Sequence, residues 1–323
     1  MTMEYDSVPG VEKPISRLVQ GTMMVGTSDM DRTRALLDAC YEAGINAFDS
    51  AYIYGGGDCE RALGRWIAER SLREKVVILG KGAHPRDGQS RMTPEFIHAE
   101  LTESLERLET DCIDLYVLHR DDPNVPVGTI VQALSSHVQA GRIRAWGGSN
   151  WTHTRLQAAM KFADAHGLRG PDVSSPHYGL AEQVAPPWDG CVTITGPGNR
   201  DARDFYLRTQ MPVFAWSSLA GGFFSGRFRR GQLDGFEGRD ALCVKSYCTD
   251  ENFQRLDRVE RLAKDRGVSA ARIALAYVLS DPMNVFPLIG CWKPEEARDN
   301  AAATDIHLTE DERSWLNLER ETL

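Results

Sequence analysis

Short apolar runs alternate with longer amphipathic segments along most of the chain. From about residue 17 onward, runs that are often rich in β-branched residues are followed by segments whose apolar positions recur at helical spacing. This alternation is typical of repeated βα units, in which parallel strands form a buried sheet that helices cover. The predicted strands are 18–21, 45–49, 76–80, 113–118, 143–148, 171–174, 212–216 and 284–289.

The segments between and after these strands are predicted to be helical. Proline follows Thr93 and Lys293, and an acidic turn follows Thr309, which are residue types that favour the start of a helix. The predicted helices are 31–43, 59–70, 94–109, 127–140, 153–166, 200–209, 252–266, 270–280, 294–302 and 309–318. The last of them is an extra C-terminal helix.

Eight strands with intervening helices fit either a closed (β/α)8 barrel or an open doubly wound sheet. An open dinucleotide-binding sheet carries G-x-G-x-x-G directly after its first strand, whereas the glycine clusters here come later, at 55–57 and 221–222. A chain of 323 residues also suits one barrel. We therefore predict an α/β fold of the TIM-barrel type, a single domain over residues 1–323, with long rim loops at 181–199 and 220–250.

The composition limits the kind of protein and partner. A hydrophobic share of 42% and a charged share of 26% are ordinary for a soluble protein. No apolar run approaches the length of a membrane span, and the start lacks the features of a signal peptide, so we expect a cytoplasmic protein. The net charge of -9 argues against nucleic acid as a partner. Seven cysteines without a C-x-x-C pair predict reduced thiols.

Four ionisable side chains follow three successive predicted strands: Asp49, Tyr54, Lys81 and His119. The carboxyl ends of parallel barrel strands open onto one mouth, so these side chains are expected to converge. The ammonium of Lys81 is expected to lower the pKa of Tyr54, and the carboxylate of Asp49 to keep Lys81 charged. His119 can hydrogen-bond a carbonyl oxygen or relay a proton. Together the four predict a site that polarises and protonates a carbonyl group.

The same residues are part of a longer series of motifs. The series comprises Gly21-Thr22-Met23, residues 49–55 (Asp-Ser-Ala-Tyr-Ile-Tyr-Gly), Lys81, Leu118-His119, residues 147–151 (Gly-Gly-Ser-Asn-Trp), and Lys293-Pro294-Glu295 with Asn300. Over most of the chain it resembles the aldo-keto reductases, in particular a bacterial branch of that superfamily. The resemblance implies an NAD(P)(H)-dependent oxidoreductase that interconverts an aldehyde or ketone and its alcohol.

The resemblance also implies individual roles. Tyr54 would be the general acid, Lys81 and Asp49 would tune it, and His119 would orient the substrate. Ser149 and Asn150 would hydrogen-bond the nicotinamide carboxamide, and Trp216 would stack on the ring. The full set of cofactor-binding positions implied is Gly21, Thr22, Met23, Asp49, Ser149, Asn150, Ser175, Trp216, Ser217, Leu219, Gly221, Gly290, Lys293, Glu296 and Asn300.

The sequence departs from the family pattern in three places. Ser175 stands where the family usually has Gln, which shortens one carboxamide contact. The 181–199 loop, with Trp188, does not resemble the usual acidic helix start. Near the last strand, Lys293 can bind the 2'-phosphate of NADP(H), whereas Glu296 would repel it and suits the free ribose of NAD(H). NADP(H) is favoured, and NAD(H) stays open.

The expected partner is a small carbonyl or alcohol substrate, with no nucleic acid and no membrane. Rim aromatic and histidine residues are the predicted substrate contacts: Tyr52, Trp151, His177 and Trp188. The polar rim residues favour a hydroxylated, sugar-like carbonyl; they are Tyr52, Arg120, His177 and Asp189. Two other functions are open, namely a nucleotide-sensing regulatory subunit on the same barrel and a metal-dependent barrel hydrolase. The hydrolase would need a ligand cluster such as H-x-H, and His119 is the only histidine on the early strand ends.

Overall fold

Eight parallel strands close into a barrel in the computed structural model, which describes residues 3–323. The first two residues of the predicted domain lie outside the described part. The strands are β1 (Tyr5–Val8), β2 (Val11–Ser16), β3 (Val19–Gly21), β4 (Ala47–Asp49), β5 (Val77–Gly82), β6 (Ile113–Leu118), β7 (Ile143–Ser149), β8 (Val173–Ser175), β9 (Val213–Ala215) and β10 (Val285–Ile289). The barrel runs in chain order from β3 to β10, and β10 pairs back with β3. The predicted TIM barrel is confirmed.

Helices follow the barrel strands and cover the outside of the barrel. They are α1 (Met30–Glu42), α2 (Asp58–Arg70), α3 (Pro94–Arg107), α4 (Val127–Gln139), α5 (His153–His166), α6 (Arg200–Thr209), α7 (Gly238–Tyr247), α8 (Asp250–Arg266), α9 (Ala270–Leu279), α10 (Pro294–Ala301) and α11 (Glu310–Leu316). The predicted helix starts have the expected caps, since the side chains of Thr93 and Thr309 both accept from backbone N–H groups. Within residues 3–323, no helix is long and apolar enough to cross a membrane.

The barrel interior is a packed core below the mouth. Interior positions of the strands contribute small and branched side chains, and Phe214 stacks on Phe286 with ring centroids 4.8 Å apart. Such packing makes the barrel a solid support instead of a pore. The site above it therefore rests on strand ends that cannot shift independently.

An N-terminal hairpin, absent from our prediction, closes the end of the barrel opposite the mouth. Strands β1 and β2 pair antiparallel, and Val8, Val11 and Ile15 pack into the interior core. From β2, the Lys13 ammonium donates to the Asp114 carboxylate at 2.8 Å and to two backbone carbonyls. The hairpin is thus fixed to β6 by a buried carboxylate.

The 220–250 stretch is more ordered than predicted. It contains a 3-10 turn at Ala220–Ser225 and then α7, whereas we expected a loop throughout. The turn needs a left-handed backbone at Gly221 and Gly222, whose φ angles are 63° and 95°. Cys243 on α7 donates through its thiol to the Ala220 carbonyl at 3.3 Å, so the helix packs on the turn.

Candidate active site

The predicted catalytic residues lie at the carboxyl ends of the strands. Asp49 ends β4, Lys81 is the next-to-last residue of β5, and His119 follows β6 directly. The strand register aligns Gly21 with Asp49, and the β7 and β8 ends, Ser149 and Ser175, with each other. The strand ends therefore place these side chains on one mouth, as the sequence predicts.

Lys81 connects the other two members of a triad in which Asp49 and Lys81 are buried and Tyr54 is half-buried. Its ammonium donates to the Asp49 carboxylate and lies 3.3 Å from the Tyr54 hydroxyl oxygen. Tyr54 is held there by a short 3-10 turn, Tyr54–Gly57, in which Gly55 and Gly56 have φ angles of 56° and 61°. These angles are unfavourable for other residues, so the glycines let the chain turn sharply beside the mouth.

The pKa of Tyr54 differs from our expectation. Removal of water from around the hydroxyl raises the pKa of Tyr54 above its usual value of 10.0, and the opposing effect of Lys81 does not overcome this. Lys81 therefore lowers the pKa of Tyr54 as expected, but burial makes the net shift upward. Burial acts to lower the pKa of Lys81, but Asp49 and Tyr54 outweigh it and the net shift is upward. At neutral pH the phenol keeps its proton beside a charged lysine.

His119 faces the same space as a neutral ring. Its centroid lies 5.7 Å from that of Tyr54, and its Nδ1 is buried without a partner among residues 3–323. Burial, with the charges of Lys81 and Arg120, holds the pKa of His119 well below 6.5. A neutral imidazole with an unsatisfied nitrogen can hydrogen-bond a substrate oxygen.

Two further residues reach this group, namely His84, which was missing from our site prediction, and Arg120, which we named only as a polar rim residue. The His84 ring lies 5.0 Å from that of His119, and Arg120 is only 8% exposed and donates to the His119 carbonyl at 3.2 Å. Both come within three residues of a predicted site residue on a strand end. This closeness in sequence to predicted site residues is the signal that could have identified them.

Ser149 and Asn150, the predicted nicotinamide contacts at the end of β7, are hydrogen-bonded to neighbouring parts of the mouth. The Ser149 hydroxyl donates to the Ser175 carbonyl at 3.0 Å, and the Asn150 amide donates to the His119 carbonyl at 3.2 Å. The Asn150 side-chain oxygen accepts from the Val192 N–H at 3.1 Å. Asn150 also has a φ of 59°, an uncommon backbone conformation for a residue other than glycine. The loop after β7 is therefore tied to two neighbouring strand ends.

The predicted substrate residues divide into two groups. Trp188 is 44% exposed and stacks on Trp216 with centroids 5.7 Å apart, while Trp151 is buried and donates from its indole to the Arg120 carbonyl at 3.2 Å. Tyr52 and His177 have their polar atoms occupied inside the protein. The Tyr52 hydroxyl donates to Glu103 on α3 at 2.7 Å.

His177 lies in the wall behind Trp216. Its Nδ1 is 2.8 Å from the Thr193 hydroxyl and its Nε2 is 3.0 Å from the Tyr247 hydroxyl. Burial lowers the pKa of His177 to about 3, so the ring is neutral. Trp216 lies with its ring centroid 5.0 Å from that of His177. The structure therefore gives His177 the geometry of a support for Trp216, with neither nitrogen free for a substrate.

The segment after β10 adjoins a cleft lined by residues that include Met23, Asp58 and Trp292. The guanidinium groups of Arg32 and Arg239 lie 5.2 and 5.9 Å from the centroid of the Trp292 ring. Three cations, counting Lys293 next to Trp292 in the chain, thus occur in this region.

Glu296 in the first turn of α10 has a local partner. Its carboxylate accepts from the Trp292 N–H at 2.7 Å. Asn300, one turn further along, donates to the Cys291 sulfur at 3.2 Å. Both side chains thus hold the connection between β10 and α10.

A model of the Aldo/keto reductase family matches residues 17–317 of the chain. The chain belongs to this family. The match covers the whole barrel and reaches beyond α11, the last helix. The protein is therefore an NAD(P)H-dependent oxidoreductase, as the series of motifs predicts.

Similar proteins include enzymes and a channel subunit. An uncharacterized oxidoreductase of Bacillus subtilis, YrpG, is 29% identical over 98% of this chain and 95% of its own. A probable voltage-gated potassium channel subunit beta of rice is 26% identical over 94% of this chain and 92% of its own. A solved aldo-keto reductase from Klebsiella pneumoniae, in complex with NADPH, is 24% identical and superposes with a TM-score of 0.73 over 100% of this chain and 97% of its own. At 24% identity, the likeness to the Klebsiella pneumoniae structure shows the fold.

Three buried polar atoms fit the nicotinamide cofactor of this family. Within residues 3–323, Thr22 Oγ1, Ser175 Oγ and Trp216 Nε1 have no hydrogen-bond partner. Buried polar atoms are usually paired, so unpaired ones at strand ends suit a ligand that supplies donors and acceptors. Ser175, where the family usually has Gln, is one of them. The shorter side chain therefore still offers a free hydroxyl.

Proposed function

We propose that this aldo-keto reductase interconverts an aldehyde or ketone and its alcohol, with Tyr54 as general acid in reduction and general base in oxidation. The observation that carries the proposal is the position of the Lys81 ammonium, which bridges the Asp49 carboxylate and the Tyr54 hydroxyl. This geometry stabilises the phenolate that forms when Tyr54 gives up its proton. His119, neutral and unsatisfied at Nδ1, supports a role in orienting the carbonyl oxygen.

When bound, the nicotinamide cofactor supplies or accepts the hydride. The protein residues then provide the proton and the electrostatic setting. Tyr54 donates its proton to the carbonyl oxygen, and Lys81 offsets the negative charge left on the phenol. The packed core beneath holds these groups in place, which limits the reorganisation needed as charge develops.

We propose that the cofactor contacts are those implied by the family pattern. The nicotinamide would meet Ser149, Asn150, Ser175 and Trp216, and the rest of the dinucleotide would lie along the remaining positions, Gly21, Thr22, Met23, Asp49, Ser217, Leu219, Gly221, Gly290, Lys293, Glu296 and Asn300. A nicotinamide that stacked on the face of Trp216 now covered by Trp188 would displace Trp188. The exposure of Trp188 on a long loop suits such a movement.

NADP(H) is the proposed cofactor. Arg32 and Arg239 near Trp292, together with Lys293, supply positive charge for a 2'-phosphate. The Glu296 carboxylate opposes it, although this carboxylate is engaged by the Trp292 N–H. NAD(H) is the alternative.

The proposed substrate is a small polar carbonyl compound of sugar-like character. The polar groups of His84, His119 and Arg120 at the mouth support a hydroxylated substrate, and Trp188 offers an exposed apolar wall. A panel of aldoses, ketoses and small aldehydes, assayed with NADPH and NADH in both directions, tests the proposal. Turnover of at least one carbonyl class with a clear cofactor preference supports it, and absence of turnover over the whole panel contradicts it.

A nucleotide-sensing barrel with little turnover is the second candidate. The rice relative, which is named as a probable channel subunit, motivates it. A sensor would transfer the hydride of bound NADPH to a carbonyl compound once and then release the oxidised cofactor slowly. An enzyme would consume many equivalents of NADPH, so stopped-flow traces followed over several turnovers separate the two.

A further inference from the structure

Arg120 is a buried cation without an anionic partner. The described residues bury two arginines, Arg120 and Arg255. Arg255 lies 3.7 Å from the Glu182 carboxylate, whereas no ion pair formed within residues 3–323 includes Arg120. Its one protein hydrogen bond goes to the neutral carbonyl of His119. Buried charges are normally paired, because removing a guanidinium from water is costly.

None of the nearby carboxylates pairs with Arg120 within residues 3–323, not even the exposed Asp189 beside Gly190. Asp49 is bound by Lys81, and Asp121, the next residue in the chain, accepts from Arg155 at 3.1 Å. Lys81 and Arg120 therefore place two positive charges at the mouth against the one negative charge of Asp49. His84 and His119 do not alter this balance, because burial lowers the pKa of both rings. The buried groups at the mouth therefore carry an excess of positive charge.

Arg120 lies on the substrate side of the mouth. It follows β6, next to His119, and its guanidinium is 5.7 Å from the centroid of the Trp188 ring. It is also close enough for its charge to act on the Tyr54 hydroxyl. Asn150, a proposed nicotinamide contact, donates to the same His119 carbonyl, so Arg120 lies at the nicotinamide end of the site, whereas the positions proposed for the rest of the dinucleotide include Ser217, Gly221 and Lys293. The phosphates of the cofactor therefore do not account for the missing counter-charge.

The backbone of Arg120 is fixed, so its side chain starts from a defined position. Its carbonyl accepts from the Trp151 indole. Gly190 packs beside its side chain, since a Cβ built at Gly190 would lie 3.5 Å from the Arg120 Cδ. The guanidinium uses one Nη for the His119 carbonyl, so it can present its remaining N–H groups to a planar or tetrahedral anion.

We propose that Arg120 binds an anionic group, a carboxylate or a phosphate, on the carbonyl substrate. The enzyme would then act on aldehydes or ketones that carry such a group, and Arg120 would determine this specificity. The assignment rests on the proposed function as a carbonyl reductase. It differs from a structural role, in which Arg120 would only hold the Trp188 loop by stacking, because a structural role predicts no dependence on substrate charge.

Matched substrate pairs test this assignment. The kcat/KM of the wild type, R120Q and R120K would be measured for 4-carboxybenzaldehyde against 4-formylbenzamide, and for glyceraldehyde 3-phosphate against glyceraldehyde. A charge-assisted hydrogen bond contributes about 1.5–3 kcal/mol, so we expect the wild type to prefer the anionic member of one pair by roughly 10- to 150-fold, mainly through KM. R120Q should lose this preference, and R120K should keep part of it. The preferred pair distinguishes carboxylate from phosphate.

Three outcomes overturn the assignment. These are a wild type that reduces neutral aldehydes without preferring the anion, a preference that persists in R120Q, and an equal fall for both members of a pair in R120Q. All three leave the proposed carbonyl reduction standing. A wild type that reduces none of the four compounds nor any of the broader panel would instead remove the proposed function and this assignment with it. Circular dichroism and NADPH binding of R120Q check that the variant is folded.

Discussion

The Lys81 ammonium lies 3.3 Å from the Tyr54 hydroxyl oxygen while it also donates to the Asp49 carboxylate. Because Asp49 keeps the lysine charged, the phenol has a permanent positive neighbour in a site from which water is largely removed. Lys81 opposes the effect of burial on the pKa of Tyr54 without reversing it. Several measurable consequences come from this arrangement.

The pH dependence should differ between the two directions of the reaction. Reduction needs the protonated phenol, and burial raises the pKa of Tyr54 above 10.0, so kcat/KM for reduction should stay level between about pH 6 and 9. Oxidation needs the phenolate, so its rate should rise with pH over the same range. His119 adds no step, because burial keeps it neutral. A reduction rate that falls with an apparent pKa near 7 would contradict this assignment.

Removing the ammonium should move the oxidation profile to higher pH. Lys81→Met alone would leave Asp49 buried without a partner, so the informative variant is Lys81→Met with Asp49→Asn. This variant lacks the charge that favours the phenolate, and we expect reduction to slow by roughly 10²-fold or more. Steady-state rates against pH, with thermal melting as the folding control, provide the measurement. Loss of the Asp49 charge offsets part of the shift, because Asp49 raises the pKa of Tyr54 less than Lys81 lowers it. An unshifted oxidation profile would show that the pair has no net effect on Tyr54.

The charge of Glu296 should weaken NADPH binding more than NADH binding. Glu296→Gln removes the charge but keeps an oxygen that can accept from the Trp292 N–H. We expect the NADPH dissociation constant to fall several-fold at low salt while that of NADH changes little. Glu295→Gln, an exposed acid in the same turn of α10, is the matched control. Equal effects of the two substitutions would mean that general charge, not a contact near the 2'-phosphate, is responsible.

A substitution at the closed end of the barrel should lower the free energy of unfolding without changing kcat. Asp114 is buried and binds both Lys13 and Arg73, at 2.8 and 2.9 Å. Asp114→Ala leaves these two cations without their carboxylate, so we expect the free energy of unfolding to fall by about 3 kcal/mol. Urea unfolding measures the loss. The kcat of the folded variant at low temperature should equal that of the wild type, and a reduced kcat would show coupling between the two ends.

Much of the barrel could be predicted because its strands are buried on both faces and its helices have clear start signals. All eight predicted barrel strands overlap observed ones, and 113–118 is reproduced fully. The N-terminal hairpin was missed because its strands are short and alternate with charged residues, so they lack the apolar run of a barrel strand. Helix α7 was missed because it lies in a stretch rich in glycine and charge.

The candidate site was predictable in position but less so in electrostatics. Strand ends placed Asp49, Lys81 and His119 on one mouth, because the parallel topology leaves no other arrangement. The direction of the Tyr54 pKa shift depends on how far burial outweighs Lys81, which sequence does not encode locally. Arg120 was expected only as a polar rim residue, and His84 is recognised as a site residue only when the loop that follows β5 is seen to turn inward.

Substitution of a single hydroxyl tests the central claim most directly. Tyr54→Phe removes the proposed proton donor, and Tyr116→Phe is the control, because the Tyr116 hydroxyl is buried without a partner within the described chain. The measurement is kcat for NAD(P)H-dependent reduction of the best carbonyl substrate in both variants, with the cofactor dissociation constant alongside. We predict that Tyr54→Phe lowers kcat by roughly 10²-fold or more with cofactor binding nearly unchanged, and that Tyr116→Phe turns over like the wild type. Undiminished turnover in Tyr54→Phe would contradict the assignment of Tyr54 as the general acid.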